Sequence, residues 1–308
     1  MRQTRRQFAI RSFALAGLGA ANASPAQFPE WKTGKIAVPG GNILWRAYGG
    51  GPGSPLLMVH GGPSGADSKA WATMSALGDE RRLVTWDQLD CGESDHPNDP
   101  ANWRYARYVE EMEVVRSKLV PGPVHVIGAS WGSTLAMEWL VTKRPANVRS
   151  VVFICPSLDS ARTEASRRNA QMKLSADSKA AFDELARTGN FSNPALAAAN
   201  AEFVQTFVTR NPPPGLSGSG RPNPVMMRAM SVDWRNWSRV AELSNLTQPL
   251  LLIRGEHDYI TDEDITFYAA ARPGSEVAVI PKAAHLAFLD NPERTIMIVR
   301  RFLNKAEQ

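Results

Sequence analysis

Cysteine is scarce in this 308-residue chain: Cys91 and Cys155 are the only two. That excludes a disulfide-framework protein and a four-thiolate zinc site. Long apolar runs are also missing, and none reaches the roughly 20 residues a helix needs to cross a bilayer. No repeat of solenoid or propeller period is visible. Nor is there a lysine-rich tract or a basic stripe interleaved with aromatics, so nucleic-acid binding has no support. Excess charge of one sign is nearly absent once the N-terminus is set aside. The formal net charge is +5, from 35 basic and 30 acidic residues. The first 23 residues hold Arg2, Arg5, Arg6 and Arg11 and no acid, leaving 31 basic against 30 acidic residues beyond them. What the chain does have is 43% hydrophobic and 21% charged residues, enough to bury a large core and too apolar for general disorder. The length fits one or two domains, and single α/β domains of this size are routine.

The N-terminus reads as an address. A twin arginine, Arg5-Arg6, precedes a polar residue and Phe8, and then a Gly/Ala-rich apolar stretch ends in Ala21-Asn22-Ala23. The order of these three features resembles a bacterial twin-arginine (Tat) signal peptide with a small-x-small cleavage pattern, in preference to a basic tail or a first helix. The stretch is too short to serve as a membrane anchor, and no cysteine near the cut marks a lipoprotein. The resemblance implies passage through the Tat export machinery and a periplasmic or secreted mature chain from about Ser24. Tat substrates cross already folded, so Cys91 and Cys155 need not pair. Both read as buried small hydrophobes.

Along the mature chain, 35–47 reads as two short strands around a Pro-Gly-Gly-Asn turn. Continuous apolar runs at 55–62, 81–88, 123–132 and 148–155 read as buried parallel strands. Helical patterns fall at 66–77, 109–120 and after Gly132, the last stopping before Pro145. From 156 to 243 the rhythm breaks into helical, Ala-rich, polar sequence. It contains 211–224, too rich in Pro, Gly and Ser for a regular element and read as a mobile loop. Strand and helix then alternate again at 248–258, 262–271, 275–285 and 291–304. Such alternation predicts a mostly parallel, doubly wound sheet covered on both faces. The expected organisation is a signal peptide (1–23), an α/β core (24–155 and 244–308) and an inserted helical cap (156–243).

Gly128-Ala129-Ser130-Trp131-Gly132 fits G-x-S-x-G between a predicted strand and a predicted helix. The motif calls for a strand, a sharp turn and a helix, and the sequence supplies all three. Ser130 is thereby the candidate nucleophile, at a helix N-terminus whose dipole favours developing negative charge. A serine needs a base. Of five histidines, His125 sits inside the strand, His96 lies in a loop, His60 reads as a loop brace and His257 ends a strand. His285 follows the last strand, so the chain order Ser130, Asp258, His285 fits the Ser–acid–His order of G-x-S-x-G hydrolases. Asp159 is the next candidate acid, followed by Asp262 and Asp264. The oxyanion donors expected of such a site are the backbone N–H groups of Trp131 and of Gly62 in His60-Gly61-Gly62-Pro63. Trp71, Trp131, Trp234 and Trp237 are candidates for pocket wall or for plain core. Of these, Trp131 is the pocket candidate.

His60–Gly65, Asp87–Ser94, Gly128–Ser133 and Gly255–Asp258 together resemble the proline iminopeptidase (prolyl aminopeptidase) group of α/β-hydrolases, over roughly residues 30 to 304. The resemblance implies the α/β-hydrolase fold and release of an N-terminal residue, often proline, from peptides or amides. It also implies the triad and oxyanion hole just described and no cofactor or metal. Leu89-Asp90 and Tyr259 depart from the family pattern. Aminopeptidases of this group hold the substrate amine with carboxylates, and the cap offers Glu164, Glu184, Glu202, Glu242, Asp159, Asp177, Asp183 and Asp233. None sits in a matching motif, and Glu202 is the first choice for substrate binding. Alternatives are an esterase or amidase acting on small hydrophobic acyl compounds without amine recognition, and a catalytically silent binding module. An intact triad disfavours the silent module.

Overall fold

The computed structural model describes residues 28–63, 66, 68–216 and 223–308. The signal-type segment, and residues 217–222 of the Pro/Gly-rich stretch, lie outside the described residues. Strand β1 (Lys32–Val38) and β2 (Gly41–Tyr48) form a hairpin, followed by β3 (Gly53–Val59) and β4 (Arg81–Trp86). Helix α1 (Tyr105–Leu119), β5 (Val124–Ala129), α2 (Trp131–Lys143) and β6 (Val148–Ile154) follow. Five helices come next: α3 (Ser160–Gln171), α4 (Ala176–Thr188), α5 (Ala195–Phe203), α6 (Pro224–Trp234) and the short α7 (Val240–Leu243). The chain closes with β7 (Leu250–Gly255), α8 (Asp262–Ala271), β8 (Glu276–Ile280), α9 (Ala287–Asp290) and α10 (Pro292–Lys305). Residues 68–79, expected to be helical, form a run of 3-10 turns.

The eight strands make one sheet in the order β1-β2-β4-β3-β5-β6-β7-β8. The first two joins, β1 to β2 and β2 to β4, are antiparallel; the remaining pairs are parallel. Period-two alternation sorts the apolar side chains onto two faces. Leu57, Val59, Val126, Phe153 and Leu252 join the core under α1, α2 and α8. Their neighbours Leu56, Met58, Ile127, Ile154 and Ile253 join the core under α10 and the 3-10 run. Both faces are thus dry, which is why these strands read as unbroken apolar runs.

Parallel strands aligned this way end together, so the turns after β3, β5, β7 and β8 gather at one edge of the sheet, where sites form. The helices α3 to α5 have a small core of their own, built on Leu174, Phe182, Leu196, Ala199 and Phe203. They are held to the sheet edge by backbone bonds from His285 N–H to Phe207 O (3.1 Å) and from Leu286 N–H to Val208 O (2.8 Å).

One close approach fixes α2 on the sheet. A Cβ on Gly132 would lie 2.2 Å from Val59 O, and one on Gly128 2.4 Å from Gly132 O. Neither obstacle is a movable side chain. Gly132→Ala should therefore force α2 away from β3 and β5 and cost about 1–3 kcal/mol or more, as overpacking does. Urea denaturation checks this; an unchanged midpoint would contradict the packing described.

Candidate active site

Ser130 occupies the turn between β5 and α2 with φ 54° and ψ −123°, a left-handed backbone rarely adopted by a residue with a side chain. The turn is tied down by Ser130 N–H donating to Ile154 O (2.9 Å) and Ser133 N–H donating to Ser130 O (2.8 Å). The loop after β3 runs against this turn: a Cβ on Gly61 would lie 3.2 Å from Ala129 O and 3.4 Å from Ser130 Cβ. Gly62 follows with φ 118°, a conformation only glycine adopts readily, and is solvent-exposed. Trp131 is the first residue of α2, whose N–H has no partner within the helix.

Gln88 locks these two segments together. Its backbone N–H donates to His60 Nε2 (3.0 Å), its side-chain amide donates to His60 O (3.0 Å), and its Oε1 accepts from Trp131 Nε1 (2.8 Å). His60 is thus a brace, as expected. The Trp131 indole is buried against Tyr105 and Tyr108, with ring centroids at 4.9 and 6.0 Å. It belongs to the core. Trp71 is buried and stacked on Phe288, and Trp234 stacks on Trp237, so those rings also serve packing. Next to Gln88, Asp87 is buried, which pushes its carboxyl up. Hydrogen bonds from Ser68 and from the Glu93 N–H outweigh burial and hold it below the usual carboxylate range.

Asp258 follows β7 and His285 follows β8, and both are buried. His285 Nδ1 lies 2.8 Å from Asp258 Oδ1, which also accepts from Ile260 N–H at 3.0 Å. An ionised carboxylate only accepts, so Nδ1 carries the proton and Nε2 presents its lone pair. The loop carrying His285 is held by Asp290, which accepts from Ala284 N–H (2.8 Å). The same carboxylate accepts from Thr209 Oγ1 and from the N–H groups of Arg210 and Asn211. Asp290 therefore ties the His285 loop to the segment that follows α5. No motif pointed to it; its role appears only when loops 200 and 280 meet.

No hydrogen bond joins Ser130 to His285 directly. The partner of His285 Nε2 is the Tyr259 hydroxyl, at 3.2 Å. The Tyr259 ring stacks on the imidazole with centroids 4.4 Å apart and planes 24° from parallel. Burial pushes the Tyr259 phenol well up, and the charge of Asp258 adds to this, so it stays a neutral donor.

The other candidates go elsewhere. Asp159 caps α3 through Arg162 N–H (2.8 Å), Asp262 pairs with Arg254 (2.7 Å), and Asp264 is buried among Arg162, Ser166 and Thr261. His125 bonds Ser150 and Glu307 inside the sheet, His96 bonds Gly92 O, and the His257 side chain is largely exposed near Glu256. Glu202, the first choice for substrate binding, lies on α5. Its carboxylate holds Ser175 N–H (2.8 Å), Ser175 Oγ (2.6 Å) and Ser178 Oγ (2.5 Å), fastening the start of α4. Cys155, Asp258 and His285 bring sulfur, oxygen and nitrogen atoms within 4.8 Å of one another. Two of the three are already bonded to each other, so the cluster reads as an acid–base pair with a thiol behind it and not as a metal centre.

A model of the α/β-hydrolase fold family matches residues 54–292. The chain is 32% identical over 287 residues to the proline iminopeptidase of Heyndrickxia coagulans, covering 88% of this chain and 98% of that protein. It is 31% identical to that of Levilactobacillus brevis over 258 residues, covering 78% and 85%. The chain belongs to the α/β-hydrolase family, in its proline iminopeptidase group. The crystal structure of the Mycobacterium smegmatis proline iminopeptidase superposes with a TM-score of 0.74 at 24% identity, covering 89% of this chain and 98% of that one. VinJ gives 0.78 at 19% identity, a likeness of fold. The hydrolase's triad-type residues thus lie at the strand ends where this fold gathers its loops.

Burial pushes the thiols of Cys91 and Cys155 well above their usual range, with Glu111 adding to the shift at Cys91 and Asp258 at Cys155. Thiolate is the reactive form. Neither cysteine of the native hydrolase should therefore be alkylated by iodoacetamide at pH 8, and both should be after unfolding. Mass spectrometry of the modified peptides checks this, and labelling of Cys155 in the folded protein would contradict its environment.

Proposed function

We propose that this chain is a serine aminopeptidase that removes an N-terminal residue, proline in particular, from short peptides and amides through an acyl-enzyme. The bond between His285 Nδ1 and Asp258 Oδ1, at 2.8 Å beside a serine held in left-handed backbone, carries the reading. The relatives named above support the substrate class. Ser130 Oγ attacks the carbonyl carbon and gives its proton to His285 Nε2, while Asp258 orients the imidazole and stabilises its cation. The N–H groups of Gly62 and Trp131 receive the oxyanion. When the C–N bond breaks, His285 returns the proton to the leaving amine. Water then attacks the acyl-enzyme, with His285 taking its proton, and Ser130 is regenerated. The cycle balances without a cofactor or metal.

In this reading residues 156–243 form a cap over the site of the core made by 24–155 and 244–308. The precursor is a client of the twin-arginine export machinery, supported by the order of Arg5-Arg6, the apolar stretch and Ala21-Asn22-Ala23. The mature enzyme then acts in the periplasm or outside the cell. Among the described residues, no helix is long and apolar enough to cross a membrane.

One observation favours a second reading, cleavage of small esters or amides without amine recognition. The cap carboxylates Glu164, Glu184, Glu202, Glu242 and Asp233 are engaged with Trp234, Asn193, Ser175, Arg239 and Arg104 respectively. Prolyl-β-naphthylamide, its N-blocked form and p-nitrophenyl acetate separate the two readings. The aminopeptidase loses activity on blocking; the esterase does not.

Ser130→Ala should leave only background turnover of whichever substrate is active. Asp258→Asn should lower kcat by roughly 10^3–10^4-fold, because the imidazole loses its proper tautomer. Ser130→Ala protein that still turned over at full rate would refute the nucleophile assignment.

A further inference from the structure

The lone pair of the base is held by a group other than its serine. Proton transfer requires Ser130 Oγ within about 2.6–3.2 Å of His285 Nε2. The phenol of Tyr259 sits at 3.2 Å from that nitrogen. Neutral imidazole has one unprotonated nitrogen, so the two hydroxyls compete for it. We propose that Tyr259 is a gate on the catalytic base: its hydroxyl occupies His285 Nε2 in the substrate-free enzyme, and an acyl group arriving over Ser130 displaces it. This inference rests on the triad reading above.

The gate is held from the cap side. The Tyr259 ring packs against Phe203 at the end of α5, with centroids 5.7 Å apart, and Phe203 in turn packs against Phe207 at 5.6 Å. Phe207 O also accepts from the backbone N–H of His285 (3.1 Å), so one short segment clamps both the gate and the base. An acyl group with an apolar ring can take over the contact that Tyr259 makes with Phe203. An acetyl group is too small to do so. Tyr259 is therefore a positioning residue that also biases the site toward bulky acyl groups. Its phenol stays protonated in this setting and so remains a donor to Nε2.

Tyr259→Phe keeps the ring and its stacking and removes only the hydroxyl. In the full-length enzyme, the rate at which a fluorophosphonate labels Ser130 should rise by about two- to tenfold, the worth of one hydrogen bond. Turnover of p-nitrophenyl acetate should rise by a similar factor and turnover of prolyl-β-naphthylamide by less, with the thermal midpoint unchanged. A merely structural role would lower all three together. Slower labelling in folded Tyr259→Phe would mean that the phenol relays the proton, and an unchanged rate would mean that it does not hold the base; either overturns the gate. Should that variant fail to fold, Phe203→Leu loosens the clamp and should raise the labelling rate to a smaller extent, and no rise there overturns the gate equally. Absence of labelling at Ser130 in the wild type and both variants would instead strike down the triad reading, and the gate with it.

Discussion

The whole site depends on helix α2 lying in backbone contact with the strands beneath it. Two positions without Cβ atoms, Gly128 and Gly132, make that contact possible, since a methyl at either would fall within 2.4 Å of main-chain oxygen. With the helix so close, the chain between β5 and α2 has no room for a relaxed turn, and Ser130 is forced to positive φ. The same closeness brings the loop after β3 against the serine. Packing and site geometry are therefore one constraint here: the contact that seats the helix also sets Ser130 at the edge of the sheet.

Polar side chains then fix what packing leaves free. Gln88 ties His60 to Trp131 and so joins the two candidate oxyanion segments through three hydrogen bonds. Asp87 gathers Ser68, Glu93 and Arg46 around a buried carboxylate. Asp290 fastens the His285 loop to the segment after α5. Each is an acceptor or amide whose partners come from other segments of the chain. Such groups are costly to leave unpaired and so hold their loops in one arrangement.

The inserted helices act on the site through Tyr259. This residue follows Asp258 directly in sequence, yet its ring belongs to the small core of those helices and lies over the imidazole. Phe203 and Phe207 reach His285 both through the ring stack and through the backbone bond to Phe207 O. The core of the hydrolase and the inserted helices thus meet at His285.

Much of this was legible in the chain itself. Unbroken apolar runs ending in glycines marked parallel strands, because both faces of the sheet are dry. The G-x-S-x-G spacing marked the turn, because only that spacing lets a helix pack on its own strand. Chain order pointed to Ser130, Asp258 and His285, since the fold delivers its strand ends in a fixed sequence. The partners of the carboxylates between β6 and β7 were not legible: the start of α4 claims Glu202 through Ser175 and Ser178, and no local pattern shows which helix N-terminus a distant acid will reach. Nor were Gln88, Asp290 and the phenol of Tyr259, which reach Trp131, Thr209 and His285 across 43, 81 and 26 residues of chain. Local spacing encodes elements and the turns between them. Which hydroxyl reaches a given nitrogen is decided by how separate loops pack at one edge, and that exists only in the folded molecule.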